Sequence, residues 1–445
     1  MVKNKYNVIL VGIDTLRADH LGCYGHNRDT SPTIDSIAKE GTLFEQCFSQ
    51  APITSPSFMS IMTSLYPSYH GVTDFMGTAG AQGRAYTLGD SIPTLAEMLK
   101  ENGYRTGAFT DGGQLYSKIG FERGFDYYSM NPDYMNRPNG SIEEDEIFYW
   151  LKEYHKENFF LFFHTYAVHS PWRAPKSYWE LFENKEEAHF SLRDFLDDSE
   201  LPNIGQVDVY PYFYRKVNRW IPADVEYVRS LYDGGIRYVD DFIQRLRSLL
   251  VDLKIDSNTI IIITADHGEE FLDHGRLMHT QLYDEILHVP LIIVAPGMSK
   301  GVRVKQTVRS IDILPTLFDQ LGGAIHTPIN GVSLTDADKK ELSLPALAET
   351  EHMGYVFREK EFKYIYPFYR IAQNRFDELY NTVSDPRERN NIALQNLDIV
   401  QEMMHRYAKE LHNPNFSPPR RGVIYAAKTG NRKRFLNRAP RLRHR

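Results

Sequence analysis

Five short runs of the chain are apolar almost without interruption: Asn7–Ile13, Thr106–Thr110, Phe159–His164, Thr259–Thr264 and Val289–Val294. A strand with one wet face alternates polar and apolar residues, so unbroken runs of this length suit strands buried on both faces of a parallel sheet. Amphipathic stretches lie between them, at Pro32–Glu40, Ser55–Thr63, Pro93–Asn102, Ile142–Lys156 and Asp224–Asp252. The alternation predicts a doubly wound, mostly parallel α/β sheet flanked by helices. In such sheets ligands bind beyond the carboxyl ends of the strands. Four of the five runs end in polar, titratable residues: Asp14; Thr110 with Asp111; His164 with His169 shortly after; and Asp266 with His267.

The 445 residues suffice for one large α/β domain and a smaller one. A net charge of −7 argues against a nucleic-acid partner. No apolar run reaches the roughly 18 residues that a bilayer span needs. The start, Met1 to Tyr6, has no signal-peptide architecture. Two cysteines, Cys23 and Cys47, make no disulfide framework, and the expectation is a cytoplasmic protein.

Residues 1–335 are expected to form the catalytic domain. Within it, 176–222 mixes acidic residues (Glu183 to Glu200) with an aromatic cluster (Tyr210, Tyr212, Phe213, Tyr214, Trp220) and is expected to be an insertion near the site. Short strands are expected at Leu344–Glu349, Tyr355–Arg358, Phe362–Tyr366 and Phe376–Tyr380, with a helix at Leu397–Leu411. These make residues 336–415 a small α+β subdomain. Residues 416–445 are a basic tail of the kind that is usually solvated.

Chemistry concentrates at four places. Asp14, at a strand end, is a hard-metal ligand or the cap of the next turn. In Pro52-Ile53-Thr54-Ser55-Pro56-Ser57, Pro56 suits a first helical turn, and Phe58, Ile61, Met62 and Leu65 have helical spacing. Thr54 then stands at the positive end of a helix beginning near Ser55, where an anion or alkoxide is favoured; the plainer reading is an N-cap. Asp266-His267-Gly268 follows the run Thr259–Ile263, and His274 and His279 arrive soon after. Neutral imidazole binds metals and also moves protons. Finally, Phe163-His164-Thr165-Tyr166-Ala167-Val168-His169-Ser170-Pro171 offers two histidines, of which His169, in a polar turn, is the stronger candidate.

These motifs resemble the sulfatase family of the alkaline-phosphatase superfamily. The resemblance covers Asp14-Thr15-Leu16-Arg17-Ala18-Asp19, Thr54-Ser55-Pro56-Ser57, Gly120–Asp126, Asp266-His267-Gly268, Tyr283-Asp284-Glu285, Asp312–Thr316 and Glu378-Leu379-Tyr380. It implies Asp14, Thr54, Asp266 and His267 as metal ligands, Thr54 as the nucleophile, and His169 and His279 at the leaving group and non-bridging oxygens. Asp111, His164 and His274 are candidates for substrate binding.

Departures from the pattern bear on function. Sulfatases carry Cys or Ser, oxidised to formylglycine, at the position of Thr54, with an Arg four residues on where this chain has Phe58. Threonine cannot give that aldehyde because its Cβ carries a methyl group, so no formylglycine is expected. Thr15 replaces the usual second Asp, His267 the frequent Asn, and His279 the usual Lys. Each change points toward phosphodiesterase and phosphonate monoester hydrolase branches.

The expected cofactor is a divalent cation, Mn²⁺, Mg²⁺, Ca²⁺ or Zn²⁺. Room remains for a second ion built from His164, His169, His274 or His279 with Asp111 or Asp273. The expected partner is a small-molecule or glycan ester substrate, and a homo-oligomer is compatible with the chain. The expected reaction is hydrolysis of phosphate or phosphonate (di)esters through a covalent Thr54 intermediate. The alternatives are sulfate-ester hydrolysis without formylglycine, phospho-head-group transfer, and an inactive binding module on this fold.

Overall fold

The computed structural model of the protein describes residues 1–74, 87–131, 142–170, 172, 174–182, 188, 220–342, 344–351, 353–368 and 377–411. Most of the expected insertion lies outside the described residues, including the acidic residues from Glu183 to Glu200 and the aromatic cluster apart from Trp220, as do the basic tail and Phe376.

Three strands form the middle of the molecule: β1 (Asn7–Ile13), β5 (Phe159–Thr165) and β6 (Thr259–Thr264), every residue of them buried. Around them run β2 (Thr42–Phe48), β3 (Arg105–Thr110), β4 (Tyr127–Met130), β9 (His288–Val294) and β10 (Val302–Arg309). Among the described residues these eight make one sheet in the order β10-β2-β9-β6-β1-β5-β3-β4. A two-stranded ribbon, β7 (Glu270–Phe271) with β8 (Leu277–Met278), stands apart from it.

Register decides where the site is. β1 is parallel to both β5 and β6, with Gly12 opposite His164 on one side and Thr264 on the other. β3 is parallel to β5 with Thr110 opposite His164. Asp14, Asp111, Thr165 and Asp266 therefore leave the sheet at one edge, although the chain separates them widely.

The sheet is mostly parallel, as expected, except that β9 runs antiparallel between β2 and β6. β2 and β10 have no counterpart in the sequence reading. Their residues, TLFEQCF and VRVKQTVR, mix charged and apolar positions, and Glu45 and Gln46 of β2 and Arg303, Lys305 and Gln306 of β10 are half-buried or exposed.

Helices flank the sheet: α1 (Pro32–Glu40), α2 (Thr54–Thr63), α3 (Leu95–Glu101), α4 (Glu144–Tyr154), α5 (Pro222–Asp252) and α6 (Ile313–Gln320), while α7 (Leu397–Glu410) comes later in the chain. α2 begins one residue earlier than expected, so Thr54 is its first residue and Ile53 its N-cap. The 31-residue α5 carries Gly234 and Gly235 mid-helix, where glycine normally costs about 1 kcal/mol. A Cβ at Gly235 would lie 2.7 Å from the Ala167 carbonyl, so the missing side chain lets α5 touch the loop after β5. Further along α5, Asp240 accepts the Thr33 and Ile34 N–H groups and holds the first turn of α1.

A second, antiparallel sheet follows in the order β11 (Ala346–Thr350), β12 (Gly354–Glu359), β13 (Phe362–Pro367), β14 (Glu378–Asn381), with α7 packed on it. Buried Lys363 of β13 bridges Asp284 and Glu388, both at 2.7 Å, and Arg358 also reaches Asp284. The small sheet is thus bolted to the turn just before β9. Cys23 and Cys47 are free thiols. No helix among the described residues is long and apolar enough to cross a membrane.

Candidate active site

Three side chains meet where β1 and β6 end. Ligand atoms of Asp14, Asp266 and His267 all lie within 4.8 Å of one another, and all three residues are fully buried. Asp266 Oδ1 accepts the Thr15 and His267 N–H groups, which leaves Oδ2 without a partner. His267 Nδ1 faces the Gly268 carbonyl at 2.9 Å, so that nitrogen carries the proton and Nε2 offers a lone pair, also unpartnered. Asp14 Oδ1 is likewise without a hydrogen bond.

Buried polar atoms rarely go unsatisfied. Two oxygens and a nitrogen left open around one point fit a divalent cation, with hard carboxylate donors and one imidazole. Electrostatics agree. Burial, and next the Asp266 carboxylate, hold the Asp14 carboxyl well above its ordinary range, and burial raises Asp266 as well. A +2 charge between them removes that repulsion.

Thr54 completes the cluster. Its Oγ1 donates to Asp14 Oδ2 at 3.1 Å and caps nothing in its own helix. The first turn of α2 is pinned to three strand ends: Thr54 to Asp14, Ser55 Oγ to the Gln114 carbonyl at 2.6 Å, and Ser57 Oγ to the Asp266 carbonyl at 2.7 Å. The helix N-terminus, with its partial positive charge, therefore stays aimed at the cluster. Thr15, at the position of the family's second Asp, has φ 58° and a buried, unpartnered hydroxyl. Tyr232 of α5 holds this strained turn by accepting the Arg17 N–H and donating to the Thr15 carbonyl, both at 2.7 Å.

The histidines divide. His164 Nε2 lies 3.4 Å from Asp14 Oδ2, beneath the cluster, and burial lowers its pKa to about 3. His169 gives Nδ1 to the Ser170 carbonyl and points Nε2 at Asp14 Oδ1, 4.0 Å away. His279 packs beside His267 and His169, its ring centre 4.5 Å from that of His267 and 5.2 Å from that of His169. Burial brings His169 and His279 down to about 4.

His274 does not join them: it stacks on Tyr283, bonds Glu285, and reaches the Glu388 carbonyl. Asp111 stands one shell back, accepting Thr165 Oγ1 and the Tyr166 N–H. Asp273 is engaged by Arg17 and Arg229. Of the candidate second-ion residues, then, His274 and Asp273 are held elsewhere. The other close grouping among the described residues, His20, His26 and Asp233, already has Arg28 on Asp233 at 2.7 Å.

Two neighbours had no role in the sequence reading. Glu269, fully buried, has Oε1 3.4 Å from His279 Nδ1 and Oε2 open, and burial pushes it up to about 7. Tyr166 lies against His164 and His169. For Glu269 a signal existed in its place two residues after His267; for Tyr166 none did.

The sulfatase family model matches residues 6–324. The chain belongs to the sulfatase family. It is 23% identical to the Delta 4,5-hexuronate-2-O-sulfatase of Bacteroides thetaiotaomicron, over 88% of this chain and 85% of that protein. In fold it is similar to the phosphonate monoester hydrolase of Agrobacterium radiobacter (TM-score 0.71, 21% identity, 91% of this chain and 94% of that one). It is also similar to a protein solved with its substrate D-glucosamine-2-N,6-O-disulfate (TM-score 0.73, 21% identity, 92% and 99% of the two chains). As a sulfatase-family member the chain is an ester hydrolase of a divalent-metal-dependent kind.

This sulfatase-family site differs from the family pattern in a way the packing explains. Phe58, where an Arg is usual, is fully buried edge-on to Phe162 and His164. It fills the space above Gly12, where a Cβ would come within 2.5 Å of its ring. No cation can stand there beside Thr54.

Proposed function

We propose that the protein hydrolyses phosphate or phosphonate (di)esters through a covalent ester on Thr54, with a phosphodiesterase or phosphonate monoester hydrolase as the favoured form. The observation that carries this reading is the contact of Thr54 Oγ1 with Asp14 inside the Asp14–Asp266–His267 cluster. A divalent cation held by Asp14, Asp266 and His267 supplies Lewis acidity, which makes the Thr54 hydroxyl more acidic and balances the charge of the substrate. Thr54 Oγ1 gives up its proton along its hydrogen bond to Asp14 Oδ2 and forms a bond to phosphorus as the bond to the leaving oxygen breaks. The N-terminus of α2 faces the developing charge. His169 or His279 passes a proton from Nε2 to the leaving oxygen, once an anionic substrate has raised the imidazole pKa from its buried value. Water then displaces Thr54: a histidine takes the water's proton, and Thr54 Oγ1 takes back its own from Asp14.

Sulfate-ester hydrolysis by unmodified Thr54 is the second reading, supported by relatives such as the hexuronate sulfatase. In either reading residues 1–335 are catalytic, residues 336–415 are a small α+β subdomain, the substrate is a small-molecule or glycan ester, and the location is cytoplasmic. Purified protein is assayed with Mn²⁺, Mg²⁺, Ca²⁺ or Zn²⁺ on a bis-aryl phosphodiester, an aryl phosphonate and an aryl sulfate. Turnover of the phosphorus esters that Thr54→Ala abolishes is the expected result. Preference for the sulfate selects the second reading, and turnover of none sinks both.

A further inference from the structure

The chain carries a net charge of −7, so a place where cations gather without counter-charge needs a reason. Three arginines share one such place, a cleft with a volume of about 570 Å³. It is lined by Glu226 and Arg229 of α5, by Phe271 and Asp273 of the β7–β8 ribbon and its turn, and by Arg387 and Arg389, which follow β14. The start of α5, at Pro222, lines it as well, and a long helix carries partial positive charge at that end.

The two carboxylates of the lining are already taken. Asp273 accepts from Arg17 at 2.9 Å and from Arg229 at 3.1 Å. Glu226 is bonded by Arg28. Neither Arg17 nor Arg28 lines the cleft. Arg229 therefore has only a shared carboxylate. Arg387 and Arg389 are exposed and have no ion pair or side-chain hydrogen bond among the described residues. The cleft thus presents guanidinium groups in excess of its acids.

These groups stand on firm supports. Arg229 lies over the Phe271 ring, 5.8 Å from its centre, and Arg17 lies 5.5 Å from the same centre. Between Arg387 and Arg389, Glu388 is buried, with its carboxylate on Lys363 at 2.7 Å and its carbonyl 3.1 Å from His274 Nε2. Asp385 accepts the Arg389 N–H at 3.1 Å. The backbone that carries both arginines is thereby tied to the ribbon that supplies Phe271 and Asp273.

We infer that this cleft is a binding site for an oxyanion, a phosphate, sulfate or carboxylate group, separate from the Asp14–Asp266–His267 cluster. A guanidinium fork meets such a group two oxygens at a time, whereas lysine, which does not line the cleft, offers a point charge. The volume lies within the range of small-molecule sites, so the charged group can belong to a larger molecule. Two sources supply this chemistry: a free anion, or a second charged group on the ester substrate. The second rests on the proposed ester hydrolysis at Thr54; the first does not.

The test uses the metal-loaded full chain, with inorganic phosphate as the probe in isothermal titration calorimetry. Arg387→Ala/Arg389→Ala is expected to weaken one phosphate site at least about tenfold, the scale of losing a charge-assisted contact. It is expected to keep the parent's melting temperature, because neither side chain has a partner to lose. Arg387→Lys/Arg389→Lys, which keeps the charge without the fork, is expected to fall between the two. For the source, KM is compared for a singly charged aryl ester and for a glycan ester that carries a second sulfate. A KM that rises in the alanine variant for the doubly charged ester alone assigns the site to the substrate. A lost phosphate site with both KM values unchanged assigns it to a free anion. Equal phosphate binding in parent and alanine variant, with both KM values unchanged, overturns the inference. So does an equal weakening when the exposed Lys339 and Lys340 are replaced by alanine instead, which marks long-range charge and not a site. If phosphate binding responds as expected while Thr54→Ala stays active, the cleft stands and the nucleophile assignment fails.

Discussion

Thr54 Oγ1 stands 3.1 Å from Asp14 Oδ2, although the first residue begins a helix and the second ends a strand forty positions earlier. Parallel register between β1 and β6 sets Asp14 beside Asp266, and Thr54 and Ser57 in the first turn of α2 tie that helix to the same two strand ends, while Ser55 ties it to Gln114 after β3. A hydroxyl, two carboxylates and an imidazole thereby share one buried point.

Thr54→Ala is expected to lower turnover at least about a thousandfold, the scale of losing a nucleophile. Thr54→Ser, which keeps the oxygen, is expected to retain measurable turnover. Steady-state kinetics on the best aryl ester checks both. An alanine variant within tenfold of the parent removes Thr54 from the reaction.

Metal removal is expected to destabilise the protein. At a free ion concentration of 100 Kd, binding adds about 2.7 kcal/mol, visible as a melting temperature that drops on chelation. Asp14→Asn removes one of two adjacent buried carboxylates. In chelator at pH 8 it is expected to melt above the parent, and it is expected to lose the rise on adding metal. A variant that still gains full stabilisation shows the ion to bind elsewhere.

His70 offers a pH test away from the metal. Its Nδ1 accepts the Val72 N–H and its Nε2 faces Ser60 Oγ, so the folded protein holds it neutral, and burial lowers its pKa to about 3. In the unfolded chain it titrates near its ordinary 6.5, so between these values the unfolded state binds more protons. Its contribution to stability is complete above pH 6.5 and is lost as pH falls toward 3, by a few kcal/mol at most, at about 1.4 kcal/mol per pH unit. Urea unfolding from pH 7 to 5 measures the decline, and imidazole NMR identifies His70. A His70 resonance that titrates near 6.5 in the folded protein contradicts this.

Lys363→Met is expected to cost about 3–5 kcal/mol, because it strands the buried carboxylates of Asp284 and Glu388 that the ammonium joins. Chemical denaturation measures the loss. A change below 1 kcal/mol means that water or Arg358 compensates.

Phe58→Arg, which writes the usual family residue back, is expected to unfold the protein rather than make a conventional sulfatase. A guanidinium would be buried against Gly12, Phe162 and His164 in the space the ring now fills. Soluble yield and melting temperature report this, and a stable, folded arginine variant shows the pocket to be more accommodating.

The central strands were legible because burial on both faces leaves an unbroken apolar run, as in β1, β5 and β6. The positions of Asp14, Asp111 and Asp266 were legible because they follow such runs. β2 and β10 were not, since a strand near an edge mixes polar and apolar residues like a helix or loop.

Local sequence thus settled the strand ends, the start of α2 to within one residue, and the residue types needed for a cation. Only the folded chain decided which histidines stand there. His169 and His279 turn inward, while His274, five residues from His279, is taken by Tyr283, Glu285 and Glu388. It also brought Glu269 beside His279 and Tyr166 beside His164 and His169. The reason is physical: burial patterns follow from each residue's own neighbours in the chain, but a side chain's partner depends on distances across the sheet, which register and the packing of distant segments set.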